Sequence, residues 1–258
     1  MYSKTLLLTL LAPLVAAHGN VQVVTGDQGG NTTALGIQGG IVPGPGPNKV
    51  TEVDTTQFRS TNILSNGLGK TTGGGRNTPE KIVQAMALSG DTLPQVSNDG
   101  TGKISGTYHI VTTDGAGPVK CALDVTGTGN FENAILLDTT QQVPGKGGNI
   151  RPNGQVPNRG RSIVLKVRSL FKRAQNVNKD FAFECAVPDM KGQTCQGTMG
   201  GKTDACLVKV ANANRAGPFG GVFAIQLVPG AGKTATIPAD TAPATPAKPA
   251  KRAVEFTV

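Results

Sequence analysis

Apolar and polar residues alternate over several short stretches of the chain, which is the pattern of half-buried β-strands. The clearest stretch covers residues 103–112, where Tyr108 and Ile110 share one face and His109 lies on the other. The pattern does not decide which of the two faces belongs to the core. Further strands are predicted at 20–24, 119–125, 162–167, 181–187, 206–210 and 222–228.

One segment has the pattern of a helix. Thr78 is predicted as its N-cap and Pro79 as its first residue, and apolar positions at 82, 85 and 86 precede a stop at Gly90. Residues 35–76 and 145–161 show no period and are predicted as long loops. Many short strands, long loops and one short helix predict a mainly β fold, namely an antiparallel β-sandwich of the immunoglobulin or fibronectin type.

The chain of 258 residues begins with the pattern of a secretion signal: Lys4, an apolar run, and small residues up to Ala17. Cleavage after Ala17 makes His18 the first residue of the mature chain, and cleavage after Ala16 is the alternative. Residues 1–17 are thus predicted as signal peptide, 18–229 as the β-sandwich domain, and 230–258, rich in Ala, Pro and Lys, as a disordered tail. No later run is long enough for a membrane span, so we expect a protein secreted to the extracellular space or cell-wall surface.

Four cysteines follow the signal. An even number in a secreted chain is usually paired. Three pairings exist; we favour Cys195 with Cys206 and Cys121 with Cys185, a choice that the sequence alone does not settle. A four-cysteine metal site is disfavoured because no CxxC spacing is present.

The net charge of +9 favours an anionic partner, such as an acidic wall polysaccharide. Nucleic acid is not expected, because the basic residues are scattered and lack interleaved aromatic residues. The absence of Trp removes the flat aromatic platform that grips crystalline polysaccharide. We expect a monomer that binds an anionic or neutral cell-wall polysaccharide. The sequon at Asn31 predicts a glycan on a surface loop.

The chain contains two histidines, His18 and His109. An amino-terminal histidine offers a metal its amine and its ring, a chelate that suits Cu(II). Together with the His109 ring this resembles the histidine brace of lytic polysaccharide monooxygenases. The resemblance implies copper as cofactor, Phe223 as its axial neighbour and Gln226 as a catalytic group orienting an oxygen species. The alternatives are an ordinary core role for Phe223 and a hydrogen-bonded strand glutamine at Gln226.

Several motifs resemble the fungal appressorium-specific, Egh-like family of secreted virulence factors. They are GTYH at 106–109, CQGT at 195–198, CLVK at 206–209 and GPFGG at 217–221. The likeness extends over most of residues 18–228 and implies a role in host penetration or surface infection.

Hydrolytic functions are disfavoured because the chain lacks a GxSxG elbow, an HExxH motif and a recognisable glycosidase carboxylate pair. The sequence therefore predicts a secreted, infection-associated copper protein that oxidises host or wall polysaccharide. The alternative is a non-catalytic virulence effector that binds copper or adheres to a cell surface. A glycine-rich adhesion protein would bind no copper.

Overall fold

A computed structural model of the chain describes residues 18–39, 53–157, 174–215 and 217–230. The predicted signal peptide, the strand predicted at 162–167 and the predicted tail beyond residue 230 lie outside these residues. The strands are β1 (Gly19–Gly26), β2 (Gly29–Thr32), β3 (Thr56–Gln57), β4 (Lys70–Thr71), β5 (Gly75–Arg76), β6 (Gln95–Ser97), β7 (Lys103–Thr112), β8 (Val119–Asp124), β9 (Ile135–Gln141), β10 (Asn176–Ala186), β11 (Gly197–Met199), β12 (Lys202–Asn212) and β13 (Phe219–Val228). The helix α1 is Ile82–Ser89.

Seven strands form a closed ring of backbone hydrogen bonds. Their order is β12-β8-β9-β10-β7-β1-β13, and β13 pairs back to β12. Six of these pairings are antiparallel, whereas β1 and β13 run parallel. The mainly β class and the short helix are confirmed. The prediction of a two-layer, immunoglobulin-like sandwich is wrong. The structure is a barrel with additional strands, because the pairing of β13 with both β1 and β12 closes the sheet.

The barrel interior is filled by side chains from all seven strands. Tyr108 on β7, Phe183 on β10 and Phe223 on β13 are among its largest buried members. The interior is therefore the face that carries Tyr108, and the opposite face of β7 points outward. The disulfides Cys121–Cys185 and Cys195–Cys206 join the same core, which confirms the pairing favoured from the sequence.

A second apolar layer covers the outer face of β12 and its neighbours. Ile82 and Met86 of α1 belong to it, together with Leu207 of β12 and Phe131 from the loop before β9. No helix among the residues described is long and apolar enough to cross a membrane.

The predicted start and end of the helical segment are confirmed in position. A 3-10 turn, Pro79–Lys81, precedes α1, and Gly90 ends it with a φ of 102°. Thr78 stands at the predicted cap position but makes no side-chain cap hydrogen bond.

The segment predicted as a long loop at 35–76 contains three very short strands. β3, β4 and β5 form an edge ribbon, and β3 pairs with β13 at Gln57 and Phe219. This ribbon places polar residues next to the beginning of β13.

Candidate metal centre

The backbone of His18 is held at the end of β7. Its carbonyl oxygen accepts hydrogen bonds from the N–H groups of Val111 at 3.1 Å and Thr112 at 3.2 Å. Its own N–H donates to the hydroxyl oxygen of Thr112 at 2.9 Å. Gly115 passes so close to the His18 carbonyl oxygen that a Cβ atom there would collide with it. The nitrogen that the predicted cleavage would turn into a free amine is thus fixed by neighbouring strand and turn residues.

The strand register brings the backbone of His18 close to the strand that carries His109. Asn20 of β1 lies directly opposite His109 of β7, and opposed residues on antiparallel strands project to the same face. The face that carries Asn20 and His109 is the outer one, opposite the side of Tyr108. His18 immediately precedes β1, and its backbone is hydrogen-bonded to Val111 and Thr112, two and three positions after His109.

The His109 ring is oriented by a carboxylate. Its Nδ1 lies 2.5 Å from Oδ1 of Asp180, which stands directly opposite His109 on β10. Because an ionised carboxylate only accepts hydrogen bonds, Nδ1 carries the proton and the lone pair of a neutral ring stays on Nε2. Nε2 is buried and has no hydrogen-bond partner among the described residues. A histidine that donates one nitrogen to a carboxylate and keeps the other free has the usual arrangement of a metal ligand.

Other polar groups around His109 also lack partners. Within the described ranges, Asn20 Oδ1 and Thr55 Oγ1 are buried without a hydrogen bond. Thr55 follows Asp54, a buried carboxyl close enough to His109 to interact with it electrostatically. Burial raises the pKa of Asp54, opposed by the N–H of Gln38 and by the attraction of His109. The unmatched atoms of Asn20 and His109, on facing strands, fit a site that binds a polar or ionic ligand.

An aromatic ring contacts His18, and it belongs to Phe219. The two ring centroids are 5.8 Å apart and the planes are inclined by 29°. Phe223, which the histidine-brace resemblance makes the axial neighbour, lies in the barrel interior with no exposed surface, as its alternative core role predicts. The structure therefore places Phe219 beside the first histidine and Phe223 in the core.

Gln226 lies far along β13 from the histidines. Its Nε2 donates to the carbonyl oxygen of Thr203 at 2.7 Å, and its Oε1 accepts from Gln95 at 2.6 Å. It follows Gly220, the partner of Asn20, by six residues, which corresponds to about 20 Å along a strand. This matches the alternative of a hydrogen-bonded strand glutamine.

The donor set fits copper. In the part of the chain that the structure describes, no three His, Cys, Asp or Glu side chains form a metal-binding group. A brace needs only two such side chains, because His18 would supply two nitrogens. An amine and two imidazole nitrogens are ligands that Cu(II) prefers.

Comparison with known proteins gives the family. Residues 16–220 match the Egh16-like virulence factor family. The chain is 35% identical over 220 residues to appressoria-specific virulence factor GAS1 of Pyricularia oryzae, covering 84% of this chain and 75% of that protein. It is 33% identical over 170 residues to appressoria-specific virulence factor GAS2 of the same fungus, covering 63% and 50%. No solved structure shows a significant match.

The chain belongs to the Egh16-like virulence factor family, as its motifs predicted.

Proposed function

We propose that this virulence-family protein is secreted, holds copper through His18 and His109, and oxidises host or wall polysaccharide during infection. One observation carries the copper site: the buried Nε2 of His109 has no partner in the described structure, while Nδ1 is committed to Asp180. The backbone contact of His18 with Val111 and Thr112, on the strand that carries His109, supports a shared site. Two disulfides fit a protein made for an oxidising compartment.

The neighbouring residues would prepare the nitrogens for the metal. Asp180 holds the His109 ring in the tautomer that leaves Nε2 open. Thr112 orients the backbone nitrogen of His18, and Phe219 restricts the His18 ring by stacking. When bound, copper would supply one-electron redox chemistry with oxygen or peroxide.

A second candidate is a virulence effector that binds copper without oxidising polymers. The observation in its favour is the burial of His109, whose side chain is only 7% exposed. An enzyme acting on a polymer needs its metal open to a large substrate, and the chain has no Trp to form a platform for one.

The two candidates differ in whether the copper-loaded protein forms oxidised oligosaccharides from a polymer. Natively secreted, copper-loaded protein would be incubated with a reductant, peroxide and either neutral or acidic wall polysaccharide, and soluble oligosaccharides analysed by mass spectrometry. Oxidised oligosaccharides that disappear in His109→Ala support oxidation. A matched control carries one glycine before His18, which keeps every side chain and removes the terminal amine. Copper binding without oxidised products from any polymer supports the effector.

A further inference from the structure

We infer that a basic pocket beside the candidate metal centre binds a polysaccharide whose sugars carry carboxylates. The pocket has a volume of about 440 Å³ and is formed by the edge ribbon β3–β5 and the loop before β4. Its lining includes Arg59, Lys70 and Arg76 and contains no acidic residue. Known ligand sites have volumes of roughly 300–1,000 Å³. As a substrate site this pocket depends on the proposed function, whereas binding to it requires no copper.

The ribbon aligns its polar side chains across the three strands. Gln57 of β3 is directly opposite Lys70 of β4, and Lys70 is directly opposite Arg76 of β5. The three side chains therefore share one face. Like charges at directly opposed positions destabilise a sheet, and both cations are exposed. An anion bound between Lys70 and Arg76 would relieve this repulsion.

The cations of the pocket are not neutralised by the protein. Arg59, Lys70 and Arg76 form no ion pair with any carboxylate in the described ranges. By contrast, Lys103 on the barrel wall is paired with Glu184 at 3.2 Å. The pocket therefore concentrates positive charge where a carboxylate from outside can reach it.

The rest of the lining favours a sugar over other anions. The Gln57 side-chain amide makes no hydrogen bond with another described residue and could bind a hydroxyl group. Phe58 and Leu68, each 7% exposed, add apolar surface, which suits the faces of sugar rings. Single-stranded nucleic acid would need exposed aromatic rings for stacking, and the one aromatic residue in this lining, Phe58, is largely buried.

The residues of the pocket are linked to the candidate metal centre by contacts with β13. The N–H of Phe58 donates to the carbonyl oxygen of Pro218 at 2.8 Å, and Gln57 pairs with Phe219. Phe219 in turn stacks on His18. Three strand spacings separate β13 from β5, or about 14 Å. An acidic polymer lying across the ribbon would therefore extend toward His18.

The test measures binding of polygalacturonate oligomers to metal-free, natively secreted protein by calorimetry. We expect binding that weakens with salt, and a loss of at least about tenfold in affinity in the double variant Lys70→Gln/Arg76→Gln, from removal of two charge-assisted contacts. The control, Lys191→Gln/Lys202→Gln, removes the same charge elsewhere and should bind like the wild type.

Three results would overturn the inference. They are equal affinity for a neutral galactan oligomer, equal affinity for a sulfated polymer, and an equal loss of affinity in the control variant. None of them bears on copper, because the metal is absent from this measurement. Failure of copper binding, conversely, would leave a positive polyuronate result standing and would refute only the proposed oxidation.

Discussion

Nδ1 of His109 and Oδ1 of Asp180 are 2.5 Å apart at directly opposed positions of β7 and β10. This contact fixes the orientation and the tautomer of the ring, so that Nε2 is the nitrogen left to bind a ligand. Because Nε2 is buried and unpartnered in the described structure, the pair has the features of a metal ligand and its supporting carboxylate. Its replacement gives the first prediction.

Asp180→Ala is expected to lower the affinity for Cu(II) by about 10–100-fold, because the His109 ring loses its orientation and part of its basicity. Asp180→Asn, which keeps an acceptor but no charge, should have an intermediate effect. Calorimetric titration of the secreted protein with Cu(II) gives the affinities. Asp138→Ala, an exposed carboxylate on β9, is the control. Unchanged copper affinity in Asp180→Ala would show that this contact is purely structural.

Substitutions of Phe219 are expected to change the spectra of bound Cu(II), whereas substitutions of Phe223 are expected to change the free energy of unfolding. Phe219→Leu removes the ring that stacks on His18 and should change the visible and EPR spectra of bound Cu(II). Phe223→Ala should cost about 3–5 kcal/mol of unfolding free energy in urea, since it opens a cavity in the barrel core. The milder Phe223→Leu should leave the copper spectra unchanged. The reverse pattern would restore Phe223 as the axial neighbour.

Lys209 is expected to make stability depend on pH. Its Nζ donates to the carbonyl oxygen of Ser65 at 2.5 Å and lies 4.0 Å from the ring centroid of Phe131, yet burial lowers its pKa from 10.5 to about 8. Between these two values the unfolded chain binds more protons at this residue than the folded chain. The Lys209 contribution to the unfolding free energy therefore increases as pH rises through this window.

Lys209→Met provides the comparison for this effect. Urea unfolding at several pH values between 8 and 10.5 should show the wild type gaining stability relative to the variant as pH rises. Parallel pH curves for the two proteins would contradict a lowered pKa at Lys209. The comparison cancels the titration of groups that the two chains share.

The two disulfides are expected to differ in their contribution to stability. Cys121–Cys185 closes 64 residues and Cys195–Cys206 closes 11. Loop entropy predicts losses of about 4 and about 3 kcal/mol when each pair is replaced by alanine. Urea unfolding of the two double variants measures both values. A larger loss for the shorter loop would show that packing of the cystine, rather than loop entropy, dominates.

Local patterns in the sequence predict individual elements well. The alternation over residues 103–112 matches β7 in full, and Pro79 and Gly90 bracket the helical segment. β9 was missed because its sequence, ILLDTTQ, starts with consecutive apolar residues and ends in a polar run. Closure of the barrel was missed because alternation along β1 carries no information on its parallel partner β13.

In the candidate site, too, the sequence indicated individual residues but not the contacts between distant ones. His18 and His109 could be selected from the sequence because histidines are scarce and one of them follows a signal-like segment. Asp180 could not be found, because its role depends on the register between β7 and β10, whose paired residues His109 and Asp180 are 71 positions apart. Phe219 precedes the strand predicted at 222–228, so its contact with His18 could be seen only in the folded chain.

The proposed copper site is tested most directly by the Cu(II) EPR spectrum of natively secreted protein, recorded beside its intact mass. We predict a chain that begins at His18 and an axial spectrum with couplings to nitrogen from the amine and both rings. His109→Ala should lose one of these couplings together with tight binding. A protein that begins at His18 and binds no copper tightly, or a spectrum unchanged in His109→Ala, would contradict the account.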